Sequence, residues 1–139
     1  MDDVQVKRIQ QSFDAQSMMK TLGATLAHIA PEHVEITAPL LPGSLQQQGF
    51  GHAGLTFSIG DSAAGYAALT TLPLDQEVVT AELKINLLAP ARGDHLKAVG
   101  KVIKPGRRLV VVSAEVFALE DNTSNLIAVL QGTMVPVAR

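Results

Sequence analysis

The sequence has no cysteine, no tryptophan and few aromatic residues of any kind. Its 139 residues include one Tyr and four Phe, although 47% of the residues are hydrophobic. The absence of cysteine excludes disulfides, thiolate metal sites and a cysteine nucleophile, and it suits a reducing cytoplasm. The core must therefore form mainly from Ala, Val, Leu and Ile. Such a composition favours a packed aliphatic core over an aromatic surface on which nucleic-acid bases could stack.

The chain also lacks an excess of basic residues and a long uninterrupted apolar run. The formal net charge is −2 and the isoelectric point is about 6.0, so nucleic-acid binding would lack its long-range electrostatic attraction. The first residues are acidic and polar, unlike a signal peptide. The longest uncharged stretches are interrupted by Gly, Pro and Gln, so no membrane span is predicted. We expect a cytoplasmic protein that binds neither nucleic acid nor membrane.

Residue spacing predicts a helix, two short strands, a second helix and four long strands. The predicted ranges are a helix over Val4–Leu22, strands over Ala24–Ile29 and His33–Ala38, a helix over Gly54–Leu72, and strands over Val79–Leu88, His95–Lys104, Arg107–Leu119 and Leu126–Val137. The last four strands are expected to form an antiparallel meander, with a type II turn at Pro105-Gly106. One curved sheet around one central helix satisfies this order, which predicts an α+β fold with a single domain over residues 1–139.

The second predicted helix carries a single charged residue, Asp61. A helix that is apolar all round is normally buried, and Asp61 has no basic neighbour one turn away. Burial of an unpaired carboxylate is costly. Asp61 therefore indicates a distant partner, a second subunit or a chemical task, and it is the leading candidate functional residue.

An ordered series of motifs around Asp61 resembles the hotdog-fold acyl-CoA thioesterases of the phenylacetic-acid-degradation type. Members of that family carry a His-Gly-Gly turn and then a helix with a central Asp. The matching residues here are His52-Ala53-Gly54, Asp61, Ala63-Ala64-Gly65, Val79 to Asn86, Ala89-Pro90-Ala91 and Pro105-Gly106-Arg107. The resemblance implies a hotdog fold, hydrolysis of an acyl-CoA thioester, and a homodimer or homotetramer whose active site lies where two sheets join edge to edge.

The resemblance also implies catalytic roles for four residues. Asp61 would act either as general base on water or as a nucleophile that forms a mixed anhydride. The backbone N–H groups of Ala53 and Gly54, at the positive end of the helix dipole, would hold the oxyanion. Thr80 would orient the water. However, Thr80 is three positions from Leu83, so in a regular strand its side chain would lie on the face opposite to Leu83 and away from the helix. Ordinary strand polarity therefore remains an alternative for Thr80.

Substrate contacts are implied for Gln46, Gln48, His52, Arg107 and Arg108. Gln46 and Gln48 would contact the thioester or hold the loop, and His52 is better explained as a residue that holds the turn than as a base. Arg107 and Arg108 could meet the phosphates of CoA, but a solvated hairpin end is the simpler interpretation. CoA would be part of the substrate, so no separate cofactor is expected. The histidines show no metal-ligand spacing, so no metal site is expected.

Two departures from the family pattern concern the turn and the residue upstream of it. Ala53 replaces the first glycine of the turn, and Gln46 replaces an asparagine. Two further functions stay open on the same fold. One is a non-catalytic protein that binds acyl-CoA, and the other is a hydratase or dehydratase, for which no His with an acidic partner is evident near His52.

Overall fold

The computed structural model describes residues 1–139, and it contains one antiparallel sheet and three α-helices. The helices are α1 (Asp3–Ala15), α2 (Ser17–Thr21) and α3 (Ala53–Leu69), and the strands are β1 (Thr25–Ala30), β2 (His33–Pro39), β3 (Gln76–Leu87), β4 (His95–Lys104), β5 (Val110–Glu120) and β6 (Thr123–Ala138). Five of the six strands contact α3, so the sheet curves around that helix. The predicted α+β hotdog fold is confirmed.

The strand order in the sheet is β1-β2-β4-β5-β6-β3, with every neighbouring pair antiparallel. The predicted meander is therefore correct for β4, β5 and β6 and wrong for β3. The strand β3 pairs with β6 and forms one edge of the sheet, so the chain must cross the sheet after β3 to form β4 between β2 and β5. Neighbouring strands in sequence usually pair, but β4 instead fills the place beside β2.

The connection between β4 and β5 also differs from the prediction. Gly106 does not have the positive φ that a type II turn requires at its third position. Residues 105–109 instead form a loop that bends at Arg107 and Arg108. A Cβ atom at Gly106 would lie 2.5 Å from the carbonyl oxygen of Leu109, so the glycine is needed for close backbone approach.

The N-terminal segment forms two helices rather than the one that was predicted. Asp2 caps α1 by accepting a hydrogen bond from the Gln5 N–H at 2.9 Å. The break falls at Gln16, whose ψ of 104° is extended. The Gln16 side chain donates to the Tyr66 hydroxyl at 2.8 Å, so a contact with α3 holds the break in place.

Arg8 joins α1 to the segment that leads from α3 into β3. Its guanidinium donates to the carbonyl oxygens of Leu72, Pro73 and Gln76. Because Arg8 is buried, desolvation lowers its pKa from the ordinary value. The N-terminal helices thus anchor the end of α3. No helix of the chain has the length and hydropathy needed to cross a bilayer.

The helix α3 lies directly on the sheet because both surfaces are built from small residues. Gly60, Ala63, Ala64, Ala67 and Ala68 are buried in the contact. On the facing strand β4, a Cβ atom at residue 100 would lie 2.5 Å from the backbone nitrogen of Ala64 and closer still to the carbonyl of Ala63. Such separations are far below van der Waals contact, so only glycine fits at position 100.

Replacement of Gly100 by alanine should therefore destabilise the fold strongly. The methyl group must push α3 away from β4, which costs at least about 2 kcal/mol of the free energy of unfolding. Chemical denaturation of the purified variant measures this loss. Gly43→Ala is the matched control, since a Cβ atom added at Gly43 would have no neighbour within 4 Å and the φ of Gly43 is not positive. Equal stability of the two variants would contradict the packing argument.

Candidate active site

The start of α3 is capped by the side chain of His52. The ring nitrogen Nδ1 accepts a hydrogen bond from the Gly54 N–H at 2.7 Å. A Cβ atom at Gly54 would lie 2.9 Å from that nitrogen, so glycine permits the close approach. In the neutral ring the proton then resides on Nε2, an assignment that follows from the hydrogen bond. His52 holds the turn, as the sequence favoured.

The free donor at this helix terminus belongs to Ala53. The Gly54 N–H is bonded to His52, and the N–H groups of Leu55 and Thr56 both donate to the His52 carbonyl. The Ala53 N–H has no acceptor within the chain. Ala53 is helical and does not have a positive φ, so alanine in place of the family's glycine introduces no backbone strain. The positive end of the helix dipole thus presents Ala53 N–H to solvent.

A groove of about 430 Å³ opens beside this donor. Its lining includes Gln46, Gln48, His52 and Ala53, so the structure brings these predicted site residues together. The groove also has an apolar wall, contributed by the end of β3, the residues after it and β6: Leu87, Leu88, Ala89, Pro90 and Ile127. No residue of this apolar wall was predicted to have a role, although the Ala89-Pro90-Ala91 match to the family lies within it.

Gln46 fixes the loop that forms the polar side of the groove. Its side-chain oxygen accepts hydrogen bonds from the backbone N–H groups of Gln48 and Phe50, and its Nε2 donates to the Gln48 side chain at 3.2 Å. Gly49 turns the loop with a φ of 88°. Gln46 was expected either to contact the thioester or to hold the loop, and its hydrogen bonds in the structure are those of a residue that holds the loop.

Asp61 lies two turns further along α3 and is only half-buried in the single chain. The expectation of full burial is therefore wrong for the isolated chain. Phe57, Ser58, Asp61 and Ser62 form a partly exposed stripe, because the sheet covers the other faces of the helix. The hydroxyl of Thr80 donates to Asp61 Oδ1 at 2.7 Å. Asp61 thus has a partner on β3, whereas helix spacing alone offered none.

Thr80 faces the helix because β3 contains a bulge. The pairing of β3 with β6 shifts between Thr80 and Glu82, which leaves Ala81 as an extra residue. One extra residue reverses the alternation of side chains between the two faces of the strand. Thr80, before the bulge, and Leu83, after it, therefore both point towards α3. Regular alternation predicted that Thr80 points away from the helix, and the bulge is the reason that it does not.

Arg107 and Arg108 lie far from the groove within one chain. Both are exposed in the loop between β4 and β5, and Arg107 lines a recess with Thr71 and Pro73 at the C-terminal end of α3. The helix has 17 residues, which at 1.5 Å each separates its ends by roughly 25 Å. The structure therefore does not bring the two arginines to the groove in a single chain.

No group of three or more His, Asp or Glu side chains converges in the structure. The closest pairing of such residues is His33 with Glu35, at 2.7 Å on the outer face of the sheet. The hydrogen bond from His33 holds the pKa of Glu35 below its ordinary value. Both residues lie on β2, and β4 and β5 separate that strand from β6 and β3, which contribute to the groove.

Comparison with known proteins defines the family of this hotdog domain. The model of the thioesterase superfamily matches residues 48–124. The chain belongs to the thioesterase superfamily.

Two curated relatives carry provisional names as esterases. One, from Saccharolobus solfataricus, is 43% identical over 84 residues, which cover 60% of this chain and 53% of the relative. This chain therefore matches about half of that protein's length. The other, from Deinococcus radiodurans, is 30% identical over 122 residues, which cover 87% of this chain and 80% of the relative.

Solved structures show the same architecture. A thioesterase family protein from Silicibacter pomeroyi is 36% identical with a TM-score of 0.95, over 97% of this chain and 99% of that one. The E. coli PaaI protein from the phenylacetic acid degradation operon is 20% identical with a TM-score of 0.83, over 96% and 94% of the two chains. A Bacillus halodurans protein crystallised with CoA is 23% identical with a TM-score of 0.78, over 96% and 85%. For the last two proteins, the likeness concerns the fold alone.

The cap on α3 can be tested by substitution of His52. His52→Ala removes the acceptor for the Gly54 N–H and should lower the free energy of unfolding by about 1 kcal/mol. His52→Asn should retain most of the stability, because asparagine is a favourable N-cap residue. Denaturant unfolding of both variants measures the difference. Equal losses for Ala and Asn would show that the cap does not stabilise the helix.

Proposed function

We propose that the protein is an acyl-CoA thioesterase, which hydrolyses an acyl- or aryl-CoA thioester to the free acid and CoA. Membership of the thioesterase superfamily and the names of the relatives support hydrolysis of an ester bond. The CoA in the B. halodurans structure supports a CoA ester as the substrate. The apolar wall of the groove, which includes Leu87, Leu88 and Ile127, offers a surface for an acyl chain or the pantetheine arm.

The observation that carries the proposal is the hydrogen bond from Thr80 to Asp61. It occupies one lone pair of Asp61 Oδ1 and fixes the orientation of the carboxylate. Oδ2 has no hydrogen-bond donor within the chain and is free to accept a proton from water. A half-exposed carboxylate held in one orientation suits a general base better than a mobile surface acid does.

The reaction then follows from the two polar groups. Asp61 takes a proton from water while the water oxygen attacks the thioester carbon, and the carbonyl oxygen becomes an oxyanion. The Ala53 N–H stabilises that oxyanion. When the tetrahedral intermediate collapses, the C–S bond breaks and the CoA thiolate leaves with the proton returned from Asp61. In the alternative route, Asp61 itself attacks and water hydrolyses the resulting mixed anhydride.

One chain cannot supply both groups to one carbonyl. Ala53 and Asp61 are eight positions apart on α3, which separates their backbones by about 12 Å. A base acting through one water and an oxyanion donor must both lie within hydrogen-bond reach of the same reacting group. We therefore place the reaction between Asp61 of one subunit and Ala53 of a second subunit whose α3 runs antiparallel.

The free edge of β3 is suited to join the two subunits. This 12-residue strand has a neighbour on one side only, and it carries the exposed side chains of Val79 and Leu87. A long, unpaired and partly apolar edge is a template for pairing with another strand. Asp61 contacts this strand through Thr80, so a homodimer formed there would cover Asp61. The same antiparallel arrangement would bring Arg107 of the partner subunit towards the groove and the CoA phosphates.

Substitution of Asp61 tests the reaction. Asp61→Asn keeps the size and the hydrogen bond from Thr80 but loses the base, so thiol release should fall at least about 100-fold. The assay uses short, medium, long and aryl CoA esters, which also identifies the acyl class. The unfolding curve of the variant should match that of the wild type.

Two results would count against this assignment. Unchanged turnover in Asp61→Asn would remove the carboxylate from the mechanism. Saturable CoA binding by the wild type, without thiol release from any ester, would instead identify a binding protein.

A charge on the edge strand tests the subunit arrangement. Val79→Lys replaces an exposed apolar side chain of the edge strand with a charge, which opposes strand pairing, so it should dissociate the dimer and abolish thiol release together. Ile103→Lys is the matched control, because Ile103 is 52% exposed, against 50% for Val79, and lies on β4, which is not an edge strand. Analytical ultracentrifugation measures the mass. A Val79→Lys variant that remains dimeric and active would contradict pairing through β3.

A further inference from the structure

We propose that Gly132 is a positioning residue, which makes room for the β3 bulge and thereby directs Thr80 at Asp61. The inference rests on the proposed function of Asp61 and Thr80. Gly132 lies on β6, about 50 residues further along the chain than Thr80, and it is paired with Leu83 rather than with Thr80. Its effect would be transmitted through the backbone of the neighbouring strand.

The bulge determines which way Thr80 points. Leu83 and Ile85 pack against the core, so a regular strand would direct the side chain three positions before Leu83 to the opposite face. The extra residue Ala81 restores the helix-facing orientation to Thr80. Without a bulge at this place, the hydroxyl of Thr80 would face away from α3 and from Asp61.

Gly132 is the residue that this bulge requires on the neighbouring strand. It faces Leu83 in the pairing of β3 with β6, and it is buried. A Cβ atom at position 132 would lie 2.7 Å from Leu83 Cα and 2.9 Å from the carbonyl carbon of Glu82, and it would overlap the Glu82 carbonyl oxygen. The bulged backbone therefore occupies the space that any side chain at position 132 would need.

Space rather than backbone freedom makes glycine necessary at this position. Gly132 does not have a positive φ, so alanine could adopt its conformation. The obstructing atoms belong to the backbone of β3 and cannot rotate away as a side chain would. An alanine must therefore displace the Glu82 carbonyl and the bulge with it.

Displacement of the bulge would also move Thr80. Thr80 is two positions from Glu82, and its hydroxyl contacts both Asp61 Oδ1 at 2.7 Å and Met134 Sδ at 3.3 Å. A shift of about 1 Å is enough to break the hydrogen bond that orients the carboxylate, and misplacement on that scale can reduce turnover by about 100-fold.

A double-mutant comparison tests the proposal. Gly132→Ala should reduce kcat for thiol release about 10- to 100-fold with little change in KM, since the groove near Ala53 is intact. Thr80→Ala should cause a similar loss, and the double variant should be no slower than Thr80→Ala alone, because Gly132 acts through Thr80. Thr80→Ser, which keeps a hydroxyl, should retain most of the activity. Gln131→Ala, on the same strand and the exposed face, should match the wild type.

Two kinetic results would overturn the inference. One is wild-type kcat in Gly132→Ala. The other is a loss in the double variant equal to the product of the two single losses, since it would mean that Gly132 acts independently of Thr80.

A crystal structure of Gly132→Ala separates this inference from the proposed function. Loss of the contact between Thr80 Oγ1 and Asp61 Oδ1 supports the positioning role even if the wild type releases no thiol, a result that would refute the thioesterase proposal alone. A preserved contact refutes the positioning role whatever the activity. If Gly132→Ala does not fold, the same substitution in a chain that lacks Ala81 should fold, because the obstructing bulge is gone. Failure of that chain to fold would also refute the proposal.

Discussion

The close contact between α3 and the sheet is the constraint on which the rest of the structure depends. Gly100 on β4 brings the backbone of Ala63 and Ala64 almost against the strand, and the small residues of the helix allow the sheet to curve around it. Contact at this distance leaves no room for adjustment, since protein interiors are close-packed. The rotation of α3 is thereby set, and with it the face that carries Asp61.

That rotation explains why the charged residue of an otherwise apolar helix can be tolerated. The sheet covers the sides of α3 that carry alanine and isoleucine, whereas the stripe from Phe57 to Ser62 lies beside the edge strand β3. Asp61 consequently keeps some exposure and gains a donor from Thr80. The cost of a buried, unpaired carboxylate is therefore avoided in the single chain.

Much of the architecture was predictable because it depends on local patterns. The range of β4 was predicted to the residue, and the long helix was predicted within three residues at its C-terminal end, because apolar runs and Gly or Pro boundaries mark such elements. The place of β3 was not predictable, since alternation identifies a strand without identifying its neighbour. The break at Gln16 was likewise hidden, because the Tyr66 hydroxyl that holds it lies on another helix.

The sequence alone determined the chemistry available to this protein: one acid on an apolar helix, a capping histidine before it, and no thiol or basic surface. These properties follow from residue type and near-neighbour spacing. Only the tertiary structure decided which groups meet. It turned Thr80 towards Asp61 through a bulge beside Gly132, bonded the Gly54 N–H to His52, and left the Ala53 N–H free. Each outcome depends on backbone positions that are fixed by packing between distant segments, so side-chain periodicity within one element cannot reveal it.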